Sequence, residues 1–118
     1  MRLDKAIEIA SKEALKSNMR YTLGAIIFDK FNYATGYNRA FNCCVSHKEK
    51  SYSIHAEEMA IKRATRKEMN FSHCTLIVLR INKIGDLKVS KPCETCQKLI
   101  LDAGIKTVYY IDEYKENK

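Results

Sequence analysis

The sequence predicts an α/β fold, a sandwich of two or three layers built on a mixed sheet of four to five strands. Three observations carry this. Short apolar runs rich in β-branched and aromatic residues recur at 22–29, 74–81 and 107–111. Segments with helical periodicity stand around them, at 3–17, 55–69 and 92–103. The last two apolar runs are joined by a helical segment, so they should be parallel, with a right-handed crossover.

Along 3–17, Leu3, Ile7, Ala10 and Ala14 fall on one stripe, with Glu8 and Lys12 paired outside. This helix is expected to cover one sheet face. The run 22–29 reads as a buried strand, and Gly24 within it suggests a close approach of another element. Asp29 to Asn32 can turn, and 33–37 returns as the second arm of a hairpin. Residues 40–54 have no clean period and read as a loop. Placed just before the next helix, that loop should rim a pocket and carry substrate choice.

Ala56, Met59, Ala60 and Ala64 give 55–69 an apolar stripe, and Asn70 is its expected C-cap. Lys62, Arg63, Arg66 and Lys67 span about 140° of another face. Such an arc either tracks phosphates or is a solvated helix face. After the strand at 74–81, residues 82–86 turn and 87–90 runs back beside it. Pro92 is expected to open the last helix, Leu99, Ile100 and Ala103 to face inward, and Gly104 to end it. The run 107–111 reads as a third buried strand, and 112–118 as a charged tail.

A length of 118 residues suits a single domain over 1–118. Hydrophobic content of 46% with 30% charged residues excludes a disordered chain. No run is long and apolar enough for a membrane span. Arg2, Asp4, Lys5 and Glu8 also occupy the place where a signal peptide needs its apolar core. A cytoplasmic location is therefore expected, without a membrane partner. Of five cysteines, Cys43, Cys44 and Cys74 show no framework pattern, which fits a reducing compartment. The net charge of +7 attracts anions, either phosphorylated substrates or nucleic acid, or simply keeps the surface soluble.

The chemistry concentrates in two stretches, His55-Ala56-Glu57 and Pro92-Cys93-Glu94-Thr95-Cys96. Neither is specific alone. Together they offer an imidazole, two thiols and a carboxylate, which is a three-ligand zinc site with an acid/base beside it. Cys93 and Cys96 lie only about 60° apart on a helix, so both can face one point. His55 and Glu57 lie about 200° apart, so they share a site only if it sits off the helix N-terminus. There the backbone N–H groups also favour an anion. A closed structural zinc knuckle is the competing reading. It needs a fourth ligand from Cys43, Cys44, His47, His73 or Cys74, and leaves Glu57 without a role.

The H-x-E and P-C-x-x-C stretches, in this order, resemble the cytidine/deoxycytidylate deaminase superfamily of zinc hydrolases. The likeness extends over roughly residues 20–112. It takes in Gly36-Tyr37-Asn38, His55 to Ile61, and Lys91 through Tyr109. The resemblance implies a cytidine deaminase-like three-layer α/β/α sandwich. It implies zinc (Zn2+) held by His55, Cys93 and Cys96, with Glu57 as the catalytic proton carrier. It also implies substrate contacts from Asn38, with Asn42 as fallback, and from the backbone N–H of Ala56. The implied substrate is a small pyrimidine nucleoside or nucleotide: cytidine, deoxycytidine or dCMP. The alternative is a deaminase editing cytosine or adenine within RNA or single-stranded DNA, with Phe41, Tyr52 or Tyr114 as stacking platforms. The family usually adds one more strand after 107–111. Without it an edge strand is exposed, and a homo-oligomer would cover it.

Overall fold

Two central strands buried on both faces set the layers. The computed structural model describes residues 1–45, 48–82 and 84–111, with 41–45 and 48–52 described by their backbone alone. Helix α1 spans Leu3–Ala14, followed by strands β1 (Thr22–Phe28) and β2 (Tyr33–Tyr37). Strands β3 (Arg39–Val45) and β4 (Lys48–Ile54) precede helix α2 (Ala56–Arg66). Strand β5 (Thr75–Ile81), the two-residue β6 (Leu87–Lys88), helix α3 (Glu94–Ala103) and β7 (Thr107–Tyr109) complete the order. The main sheet runs β2-β1-β5. The other side of β5 pairs with β6 at one end and with β7, in parallel, at the other.

Ala25, Ile27, Leu76 and Val78 point to the side covered by α2 and α3, where Ala56, Ala60, Ala64 and Ile100 meet them. Ile26, Phe28, Ile77 and Leu79 point the other way, onto Ala6 and Ala10 of α1. The result is the expected three-layer α/β/α sandwich. Two glycines set the layer spacing. A Cβ on Gly24 would lie 2.1 Å from the Ala10 carbonyl oxygen, and one on Gly36 would lie 2.2 Å from that of Ala56. The close approach expected at Gly24 is therefore present, and a second occurs at Gly36.

Several expectations are corrected. Residues 40–54 are not a loop but the β3–β4 hairpin, paired throughout from Arg39↔Ile54 to Val45↔Lys48. A ribbon held by its own backbone ladder needs no apolar alternation, so its sequence shows none. Leu3 is exposed, whereas Ala10 and Ala14 are buried as expected, together with Ala6 and Glu13. Asn70 does not cap α2. Its side chain accepts from the Ser72 N–H and starts a short turn at Phe71–His73. On α3 the inward stripe runs through Cys96 and Ile100, leaving Leu99 37% exposed. Strand β7 is not buried: Thr107 and Tyr109 are exposed at the sheet margin. His47 and 112–118 lie outside the described residues. No helix among the described residues is long and apolar enough to cross a membrane.

Two members of the basic arc, Arg63 and Lys67, turn out to serve the fold. Hydrogen bonds from Asp29 N–H to the Asn32 carbonyl and from Asn38 N–H to the Leu23 carbonyl fix the phase of the β1–β2 ladder. Residues 33, 35 and 37 then turn their backbone groups away from β1. Lys67 donates to the Tyr33 carbonyl, Arg63 donates to the Thr35 carbonyl, and the Tyr37 N–H meets the Met59 sulfur. Arg63 also reaches round this edge to Glu13 of α1, at 2.9 Å. Glu13 is 5% exposed and accepts from Thr35 Oγ1 at 2.7 Å while pairing with Lys16.

Burial pushes the Glu13 carboxyl up, but bonds from Lys16, Thr35 and Arg63 outweigh it and hold the group below its ordinary value of 4.5. A lowered folded pKa contributes stability above that ordinary value, which is lost as pH falls through the folded one. Urea unfolding between about pH 6 and 3 should show this loss in the native protein, and a flatter profile in Glu13→Gln. Gly36→Ala should cost about 1–3 kcal/mol in the same assay, because backbone rather than a flexible side chain must move.

Candidate active site

Two helices aim their N-termini at one point. His55 is the N-cap of α2, with extended backbone at φ −77° and ψ 152°. Cys93 is the N-cap of α3, at φ −69° and ψ 169°. Pro92 thus precedes the cap rather than occupying the first helical position. Cys96 sits in the first turn of α3, below Cys93. The ligand atoms of His55, Cys93 and Cys96 all lie within 4.8 Å of one another. Cys93 Sγ is 3.8 Å from His55 Nδ1. Among the described residues this group has no fourth member.

The approach to Cys93 is held from both sides. Ser90 is buried, donates to the Val78 carbonyl of β5 at 2.8 Å, and accepts from the Ile111 N–H at 3.0 Å. Gln97 closes the turn from within α3, through its side-chain amide to the Pro92 carbonyl. Helix α2 is held at its first turn by the contact of Ala56 and Ala60 with Gly36.

Glu57 lies in the first turn of α2 and is 3% exposed. Burial pushes its carboxyl up, while its own backbone N–H, the charge of His55 and a bond from Cys96 pull it partly back. Burial also pushes the Cys96 thiol well above its ordinary value, and the nearby Glu57 charge adds to that. Burial thus opposes both anions. A divalent cation at the point shared by His55, Cys93 and Cys96 reverses both effects, and one nitrogen with two sulfur donors fits such an ion.

Above the cluster opens a cavity of about 260 Å3, walled by Tyr21, Leu23, Asn38, Ala56, Glu57 and Cys93 among others. Asn38 is 6% exposed, and β1 backbone clamps its amide. Nδ2 donates to the Tyr21 carbonyl at 2.6 Å, and Oδ1 accepts from the Leu23 N–H at 2.8 Å. One donor hydrogen and one lone pair of that amide remain. The structure therefore gathers His55, Ala56, Glu57, Cys93 and Asn38 around one cavity, with Cys96 beneath. Cys74 lies elsewhere, in the core under α2, with its thiol against the Asn70 carbonyl. The side chain of Asn42 lies outside the described residues.

The sequence reading missed Tyr21 and Lys91 in the cavity wall. Lys91 directly precedes Pro92-Cys93, a signal that could have been used. Tyr21 lies in the approach to β1, where no pattern marks it.

A family model described as the cytidine and deoxycytidylate deaminase zinc-binding region matches residues 1–112. The chain belongs to this family. ComE operon protein 2 of Bacillus subtilis (strain 168) is 32% identical over 113 residues, covering 86% of this chain and 54% of its own length. The chain thus spans about half of that relative. Cytidine deaminase from Burkholderia pseudomallei superposes with a TM-score of 0.72 at 18% identity, covering 95% of this chain and 86% of that one. The dCMP deaminase of cyanophage S-TIM5 superposes with a TM-score of 0.66 at 23% identity, covering 92% and 83%. That enzyme has also been solved in complex with dCMP and dUMP. The cytidine deaminase-like fold implied by the two motifs is borne out.

Removing a ligand should remove the metal. Cys93→Ala and His55→Ala, dialysed and analysed for zinc, should lose affinity by more than the roughly 10–100-fold that outer-shell partners cost. Full zinc content in either variant would contradict this ligand set.

Proposed function

We propose that the protein is a zinc-dependent hydrolytic deaminase of cytosine nucleosides or nucleotides, which forms the uracil compound and ammonia. One observation carries the reading: a buried carboxylate, Glu57, stands beside a three-ligand cluster at the floor of a cavity. His55, Cys93 and Cys96 would hold the zinc ion, leaving a fourth position open. When bound, zinc supplies an acidified water as the nucleophile.

The chain's own residues do the rest. Glu57 takes a proton from the attacking water on a carboxylate oxygen. It passes that proton to the ring nitrogen, then takes the remaining proton of the added hydroxyl and gives it to the departing amino group. A carboxyl whose proton affinity burial has raised can hold that proton between transfers. The Ala56 N–H, at the first position of α2, has no acceptor within the helix and can bond an oxygen developing negative charge. Asn38, fixed by two backbone bonds, presents its remaining donor and acceptor to the sugar or base.

A nucleic-acid substrate gains little support from the basic arc, of which Arg66 alone has no partner among the described residues. Arg63 and Lys67 are engaged at the β2 edge, and Lys62 pairs with Glu58 at 3.6 Å. A structural zinc knuckle would need a fourth ligand and would leave Glu57 idle.

Ammonia release should be measured on zinc-loaded protein with cytosine, cytidine, deoxycytidine, their monophosphates, adenosine and short single strands. We expect turnover on a free cytosine compound, without the steep salt dependence of a nucleic-acid editor. Glu57→Gln should keep the zinc and lower turnover by about 10²–10⁴-fold. Turnover confined to oligomers, or normal turnover in Glu57→Gln, would overturn the reading.

A further inference from the structure

A second cavity, of about 340 Å3, adjoins the first. The two share Tyr21 in their walls. The second is lined by Arg20, Arg80 and Lys88, and no carboxylate of the described residues lines it. The ladders explain the cluster. Leu23 of β1 pairs with Arg80 of β5, which pairs in turn with Lys88 of β6. Directly paired residues point to the same sheet face. Leu23 walls the first cavity, so Arg80 and Lys88 lie on the same face, one and two strands further along.

The two arginines are held in an unusual way. The Arg80 guanidinium lies 4.2 Å from the centre of the Tyr21 ring, and that of Arg20 lies 5.6 Å from it. Neither has a carboxylate partner among the described residues. A guanidinium over an aromatic face keeps its N–H donors in its own plane, free for a ligand. Two such cations on one ring repel each other, and an anion bound by both relieves the repulsion. A phosphate fits, because guanidinium groups bind it through paired donors.

We propose that Arg20 and Arg80, both set against Tyr21, form a phosphate subsite beside the deaminase cavity, so that the substrate is a nucleoside monophosphate rather than a nucleoside. The base enters beside Glu57, and the phosphate extends past Tyr21 to the arginines. This deepens the deaminase reading and rests on it for the base. The anion site itself stands on the arginine geometry.

Two measurements separate the parts. The first is calorimetric titration of zinc-loaded protein with inorganic phosphate, dCMP and deoxycytidine, which needs no turnover. The wild type should bind dCMP about 10–100-fold more tightly than deoxycytidine, and phosphate should compete with dCMP. Arg80→Gln should reduce that preference by about 10-fold or more. Arg20→Gln, at an exposed position, should reduce it without threatening the fold. The second is the ratio of kcat/KM for dCMP over deoxycytidine, which should fall in parallel. An unchanged preference in both variants overturns the proposal. So does phosphate that binds without competing, since the anion would then come from a second nucleotide. Phosphate competition with dCMP in a protein that deaminates nothing would keep the subsite and overturn the deaminase reading alone.

Discussion

The contact between α2 and Gly36 is the constraint on which the site depends. An added carbon there would lie 2.2 Å from the Ala56 carbonyl oxygen and 2.5 Å from the Ala60 nitrogen. The helix therefore touches the strand backbone to backbone, and its first turn has one height above the sheet. His55 and Glu57 take their positions from that height. On α3 the corresponding hold is polar: Ser90 ties the approach to Cys93 onto β5 and onto residue 111. One rigid apolar contact and one buried hydroxyl bring two helix N-termini together.

The chemistry at their meeting point is coupled. Glu57 and Cys96 share a dry environment that disfavours both anions, and the Glu57 charge makes ionisation of Cys96 harder still. A cation there changes the balance for both, so metal loading and the protonation of this pair are linked equilibria. The carboxyl belongs to the same electrostatic unit as the thiols, even though it is not one of the three clustered ligands.

Much of this was legible in the sequence because it depends on short spacings. The i,i+3 cysteines and the impossibility of His55 and Glu57 sharing a helix face pointed to helix ends, and the structure has helix ends there. Layering was legible from apolar runs and periodicity. What was not legible depends on distant partners. The charges of Arg63 and Lys67 are plain in the sequence, but Glu13 lies 50 residues from Arg63 and Tyr33 lies 34 from Lys67. No local pattern distinguishes a cation bound to a strand edge from one in water. The β3–β4 ribbon was missed for a related reason, since backbone pairing alone leaves no periodic mark. Arg80 looked like the polar end of an apolar strand, and only the ladder registers set it beside Leu23 and Lys88.

The caps on β2 match in pitch. Met59, Arg63 and Lys67 are spaced by four residues along α2, about 6 Å per step, while the groups they cover are spaced by two along β2, about 7 Å per step. The helix therefore stays in phase with the strand for the whole length of the edge. With these three groups and the Tyr33 N–H already bonded, the β2 margin is a poor template for a strand from another molecule. Within the main sheet, growth by an added strand is thereby disfavoured at the β2 margin relative to the side of β5 that carries β6 and β7.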